Sequence, residues 1–294
     1  MSELLSPELL LAALSLASTY ALVALGLNLI YGAMRLLNVA HGEVMMLGSY
    51  VAYWGFTGLG ISPLWCLLGA MALAALLGAG CYQFFFKSQA RNSALAARLQ
   101  ANSLLIFFGL SIILQNVASL AFTADARSYS YMEQLVQLGP VSIAVNRLVI
   151  LGISVAAAAI VMAFFRFTRY GLAIRALIQQ RDAASLIGIN AERVNLGVFC
   201  LGFALAGLAG ALISMTESVS PFSGFPYTIA AFVVVILGGL GSLGGTLVGG
   251  LLLAVVEVYG VAVTSAAYRS ILVYGLFILI LFVRPQGLFG RKAI

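Results

Sequence analysis

The lone histidine, His41, lies two residues before Glu43 and three after Asn38 in the segment NVAHGE, Asn38 to Glu43, with apolar arms on both sides. A charge at membrane depth costs roughly 2.5 to 3.5 kcal/mol on insertion scales, so a polar cluster there implies a purpose. Two roles are open. His41 and Glu43 line or gate a path, or they satisfy one another and nearby helix ends as a lock at the inner interface, where water can reach them. Glu257 follows ten apolar or glycine residues, Leu247 to Val256. It needs a partner such as Arg269, the hydroxyl of Tyr259 or Thr264, or a group on another subunit; contact with a substrate amino group is the alternative. Asn28, inside the first apolar run, is read as interhelical glue. A single histidine forms no metal cluster and no H-E-x-x-H motif. There is no G-x-S-x-G elbow, and the two lysines, Lys87 and Lys292, lie far from the glycine-rich runs, so no P-loop can form. An intramembrane enzyme would lack any nucleophile–base pair.

Such residues need a scaffold in lipid. Of 294 residues, 63% are apolar and 8% are charged, against roughly 25% charged in a soluble domain. Runs such as Leu148 to Phe165 are apolar on every face, which excludes a transmembrane barrel with its alternating pattern. The expected class is an all-α polytopic membrane protein of about 8 to 10 transmembrane helices. Nine apolar runs are centred on Leu9–Ala33, Val44–Thr57, Leu64–Phe86, Ser103–Phe122, Leu148–Phe165, Leu196–Met215, Ile229–Leu240, Leu247–Val263 and Ile271–Val283. Cys66, Cys81 and Cys200 all fall inside such runs and are read as free thiols. The first run exceeds a signal-peptide core and has no basic region before it, so it is expected to stay as a span.

Net charge is +6, and twelve of the fifteen cations lie on one set of connectors. These include Lys87, Arg91 and Arg98, the five arginines from Arg166 to Arg193, and Arg284, Arg291 and Lys292. Only Arg127, Arg147 and Arg269 fall on the other set, beside Glu3, Glu8, Asp125, Glu133 and Glu217. Lysine and arginine enrichment marks the cytoplasmic side, which puts the N-terminus outside and the C-terminus inside. The charge reports orientation and not a nucleic-acid partner. That parity requires Ile229 to Val263 to cross twice, broken at GGLGSLGG, Gly238 to Gly245, where five glycines in eight residues oppose a continuous helix. The two broken or re-entrant segments, about 200 residues apart, match the pattern of an inverted-repeat transporter; glycine-rich breaks in unrelated membrane helices give the same pattern.

Small residues recur every four positions at Gly241, Gly245 and Gly249 and at Gly202, Ala206 and Gly210, spacing that lets helices approach closely. Aromatic residues Tyr53, Trp54, Trp65, Tyr129, Tyr131, Phe222, Phe225 and Tyr227 gather near outer span ends and are read as a membrane belt. The long inner connector, RYGLAIRALIQQRDAASLIGINAERV, has helical composition and an apolar edge at Ala183, Leu186, Ile187 and Ile189. Such an edge suits docking in a partner's groove, and equally a solvated positive loop.

Three segments in order, RLLNVAHGEVMMLGSYVAY (Arg35 to Tyr53), YGLAIRALIQQRDAASLIGINAERV (Tyr170 to Val194) and VVVILGGLGSLGGTLVGGLLLAVVE (Val233 to Glu257), resemble the H-type permease subunit of bacterial branched-chain amino-acid ABC importers. The resemblance implies a single permease domain over residues 1–294 in the inner membrane, paired with a second homologous permease. It also implies two cytoplasmic ATPase subunits, which hydrolyse the ATP, and a periplasmic binding protein, with no cofactor on this chain. On that reading the connector 167–194 contacts the ATPase through Gly171, Arg175, Asp182, Ala183, Leu186, Gly188 and Asn190; Asn38, His41, Glu43 and Glu257 are the candidates for a path or gate, to which the resemblance lends importance but no specific role. Segment Pro221 to Pro226 would meet the binding protein. Permeases of this class also serve urea, amides or aromatic acids, so the substrate stays open. A stand-alone secondary transporter is the competing class, and the scarcity of buried acid pairs weighs against it.

Overall fold

The computed structural model describes residues 6–87, 99–138, 141–284 and 286–289. Glu3, Arg91, Arg98, Arg291 and Lys292, which enter the charge argument above, lie outside them, as do the side chains of Arg181 and Asp182. The chain is helical almost throughout: α1 Pro7–Met34, α2 His41–Thr57, α3 Pro63–Cys81 with a π turn Tyr82–Phe86, α4 Leu99–Phe122, α5 Val145–Phe167, α6 Arg169–Gln179, α7 Arg181–Leu186, α8 Ala191–Ile213, α9 Gly224–Gly238, α10 Leu243–Val263 and α11 Arg269–Val283. Seven of the helical segments are long and apolar enough to cross a membrane; α2, at 17 residues, and α9, at 15, are shorter. With these two the apolar runs each find a helix, and the class is an all-α polytopic membrane protein. One departure is a hairpin in the α4–α5 connector, β1 Leu135–Leu138 against β2 Val141–Ala144, in register Leu135 to Ala144.

Helices α1 and α8 form the centre. Their most apolar stretches are 67% and 78% buried, against 17% for α4 and none for the last span. Backbone contact makes this possible. Gly26 of α1 lies on the Gly202 carbonyl of α8, Gly48 of α2 on Gly207, and Gly210 on Met45, so a methyl group at any of them would strike main chain. In lipid, where helices gain nothing from hiding apolar surface from water, such close van der Waals packing is a main source of association. Helix α10 lies along α1, with Gly250 against Ala17 and Ala21. The cysteines are free, as expected.

The connectors α4–α5 and α8–α9 are tied by main chain, and rings of the first pack on α2. Arg127 and Val219 exchange hydrogen bonds of 2.9 and 2.7 Å, and Asn146 donates to the Met215 carbonyl at 3.1 Å. Tyr50 stacks on Phe122 with ring centroids 4.4 Å apart, Tyr53 meets Tyr129, and Phe56 meets Tyr131. Several aromatics expected in a lipid belt therefore pack on each other. Trp65, 71% exposed, is placed as a belt residue would be.

Candidate functional site

Helix α1 opens on Ser6, whose hydroxyl accepts from the Leu9 amide, and on Pro7, whose missing N–H is no loss in a first turn. It ends at Arg35 in the left-handed region, φ 58°. Residues 35–40 then run back alongside α1 without helix. His41 Nε2 donates to the Val23 carbonyl at 3.0 Å. From Val23 to Met34 is about 16 Å of helix at 1.5 Å per residue, so α2 begins deep between its neighbours. Non-helical backbone at such depth survives only where protein encloses it. Leu36, Asn38, Ala40, His41 and Glu43 are each 0% exposed.

This corrects the expectation that water solvates the NVAHGE junction near the inner interface. It also corrects the pairing of His41 with Glu43. Glu43 Oε1 instead accepts from Ser111 Oγ at 3.1 Å and Gln115 Nε2 at 2.7 Å, one turn apart on α4. The first residue before α2, Ala40, offers no side-chain cap. Thr228 of α9 supplies one from another part of the chain: its Oγ1 accepts from the Gly42 amide at 2.8 Å and donates to the Val39 carbonyl at 3.3 Å. Gly42 and Gly224 touch backbone to backbone, which is how α9 comes close enough. Four of the nine buried side-chain atoms without a protein hydrogen-bond partner among the described residues fall at this junction: Asn38 Nδ2 and Oδ1, His41 Nδ1 and Glu43 Oε2. Buried polar atoms are almost always paired, so four together set this junction apart from the surrounding apolar core.

The second junction is closed. Asn28 of α1 donates to the Ser242 carbonyl at 3.0 Å and Thr246 Oγ1 at 2.6 Å, and accepts from the Gly241 amide at 2.8 Å. Gly245 and Gly249 of α10 face α9, against Gly238 and Val234. Gly241, expected with them on a packing face, sits instead in the turn between helices at φ 83°, where L side chains are strained. Glu257 meets the anticipated Arg269 and one unanticipated partner, Tyr20 of α1, whose hydroxyl donates to Oε2 at 2.7 Å. It does not meet His41 or Glu43; the four residues assigned to one path form two separate clusters.

In the connector 167–194, Thr168 caps α6 by accepting from the Gly171 amide at 3.0 Å. Gly171 is packed against the backbone of Phe164 and Phe165, so it seats the connector and is not on its surface. Arg175, Ala183, Leu186, Gly188 and Asn190 are exposed, and Asp182 lies on α7. Gly188 has φ 85°, and Asn190 caps α8 through the Arg193 amide at 3.1 Å. Lys87 pairs with Glu192 at 2.8 Å, joining the end of α3 to the start of α8.

Sequence reading missed Thr228, Tyr20, Ser111 and Gln115. Only the last two left a signal, polar residues at i and i+4 inside an apolar run.

A bundle of apolar helices with a junction of interrupted backbone at its core and an exposed elbow between α6 and α8 defines a multi-pass membrane protein. The family described as branched-chain amino acid transport system, permease component, matches residues 9–281, and the chain belongs to it. It is 36% identical to the high-affinity branched-chain amino acid transport system permease protein LivH of Escherichia coli, over 95% of this chain and 94% of that one. It is 32% identical to the corresponding permease BraD of Pseudomonas aeruginosa, over 96% and 94%. Similarity extends at 29% to the permease LivM of Escherichia coli, over 93% of this chain and 68% of that one. A chain of PsaBC from Streptococcus pneumoniae in complex with Fab shares the fold, with a TM-score of 0.52 at 14% identity over 97% of this chain and 95% of that one.

Proposed function

We propose that this chain is the permease subunit of an ATP-driven importer of branched-chain amino acids, and that it forms the translocation path with a second, similar permease. Full-length similarity to LivH and BraD supports the substrate class, and similarity to LivM supports a homologous partner. The cation distribution supports an outer N-terminus and an inner C-terminus. The connector 167–194 is then cytoplasmic, where two ATPase subunits bind, and the connectors 123–144 and 214–223 face a periplasmic binding protein. ATP is hydrolysed by the ATPase subunits.

The observation that carries the coupling role is the tip of that connector. Leu186 and Ile187 are 88% and 76% exposed, side by side, at the end of an arginine-rich segment. Apolar anchors on a short helix suit insertion in a partner's groove. Force on the tip has a direct route inward. Helix α6 packs on α1, α5 and α8, and its Ile178 lies beside Gly32 of α1. Helix α1 also carries the Val23 carbonyl that holds His41, so a shift of α1 against α2 acts on Asn38, His41 and Glu43, the gate in this reading.

The test is co-purification and uptake with the partner permease, ATPase and binding protein present. Leu186→Asp and Gly188→Trp are expected to lose ATPase binding and at least 90% of uptake, roughly a tenfold effect or more, while membrane insertion survives. Normal uptake by either variant overturns the coupling role.

A further inference from the structure

The outer end of the bundle holds a cavity of about 430 Å³ between α1, α5, α8, α9, α10 and the start of α11, within the range of small-molecule sites. Its apolar wall includes Leu16, Ile150 and Val258. Its charges come in two kinds. Glu257 and Arg269 neutralise one another, with Tyr20 completing the carboxylate. Arg147 and Glu217 do not. Arg147, in the first turn of α5, has no acidic partner among the described residues. Glu217 has one oxygen held by the Tyr227 hydroxyl at 2.7 Å and feels the charge of Arg269, but it forms no ion pair among the described residues. The Asn146 bond to Met215 keeps the start of α5 beside Glu217. An open cation, an open carboxylate and an aliphatic wall on one cavity match a carboxylate, an ammonium and an aliphatic side chain. A neutral amide would leave both charges unmatched, and an amine or an acid would leave one.

The cavity borders a much smaller pocket, of about 10 Å³, on the side of the first junction. Glu217 and Tyr227 line this second pocket, which continues to Met45, Ser49 and Gly224. Gly224 lies beside Glu43 Oε2, one of the open atoms of the first junction.

We infer that this cavity is an entry site for a free, zwitterionic aliphatic amino acid, with Arg147 taking the carboxylate, Glu217 the ammonium, and the apolar wall the side chain. The inference rests on the importer reading and adds to it a second recognition step, after the binding protein.

The experiment uses the complete permease–ATPase complex in nanodiscs without binding protein, and equilibrium binding of tritiated L-leucine. The competitors are the decarboxylated amine and the deaminated acid of leucine. Saturable binding is expected for the unmodified complex. Glu217→Gln should weaken leucine binding roughly tenfold to a hundredfold and abolish competition by the amine while sparing the acid. Arg147→Gln should do the reverse. Damage to the fold would weaken all three ligands alike, so the change in ratio is the signature. No saturable binding, unchanged ratios, or occupation by a zwitterionic lipid headgroup that leucine does not displace overturns the site. If binding-protein-dependent leucine uptake persists in that case, only this inference falls; absence of uptake by the unmodified complex would instead sink the importer reading.

Discussion

The junction between α1 and α2 and the junction between α9 and α10 interrupt helices in comparable ways, yet they differ in one physical respect. At the second, Asn28 satisfies a carbonyl, a hydroxyl and an amide of the turn at once. At the first, Thr228 caps the helix start, but four buried polar atoms around it have no protein partner among the described residues. A closed network rigidifies its surroundings. An open one costs free energy in the state that leaves it open, so it is poised to gain partners in another. The second break thus anchors α10 on α1, and the proposed gating role of the first rests on its being the place where a small displacement would change the hydrogen-bond count.

The largest effect is expected at the contact between them. Gly42→Val would drive a side chain into the Gly224 backbone and the Thr228 hydroxyl, forcing α2 and α9 apart. Since backbone cannot yield as a flexible side chain can, a cost above about 3 kcal/mol is expected. Loss of monodisperse protein on size exclusion after membrane extraction would check it. Next is Asn28→Leu, which removes three hydrogen bonds from the closed junction. At about 0.6 kcal/mol each in membrane helices, the loss is about 2 kcal/mol, read from thermal or detergent unfolding. Transport by the surviving protein should remain. The smallest stability effect, within about 0.5 kcal/mol, is expected for Glu43→Gln, because the amide oxygen still accepts from Ser111 and Gln115. Uptake, however, should fall about tenfold or more, since the variant replaces the open carboxylate oxygen with an amide nitrogen. If Asn28→Leu abolishes transport and Glu43→Gln leaves it intact, the contrast between the junctions is reversed.

Particular residues show how far the sequence could be read. The Gly238–Gly245 break was legible because charge parity demanded two crossings where hydropathy alone allowed one long run. The pairing of Glu257 with Arg269 was legible because they flank one short connector. The partner of His41 was not, because a carbonyl carries no side-chain label and Val23 reads as one more apolar residue. Nor was the depth of His41: the six residues 35–40 look like an interfacial loop, and only their enclosure by α1, α4 and α9 shows that they re-enter. The burial of Gly171 was not legible for a related reason, since a glycine that seats a connector and one that exposes it have the same sequence neighbours.

Taken alone, the order of residues determined the class, the number of apolar runs, the gathering of cations on one set of connectors and the two places where helix must break. Each follows from the absence of water in the bilayer, which obliges every spanning segment to be apolar and to satisfy its own backbone. The tertiary structure decided who satisfies the polar groups that remain. Thr228 caps a helix that begins 187 residues earlier, and Asn28 holds a turn more than 200 residues later, because hydrogen bonds between helices depend on packing that no local pattern encodes.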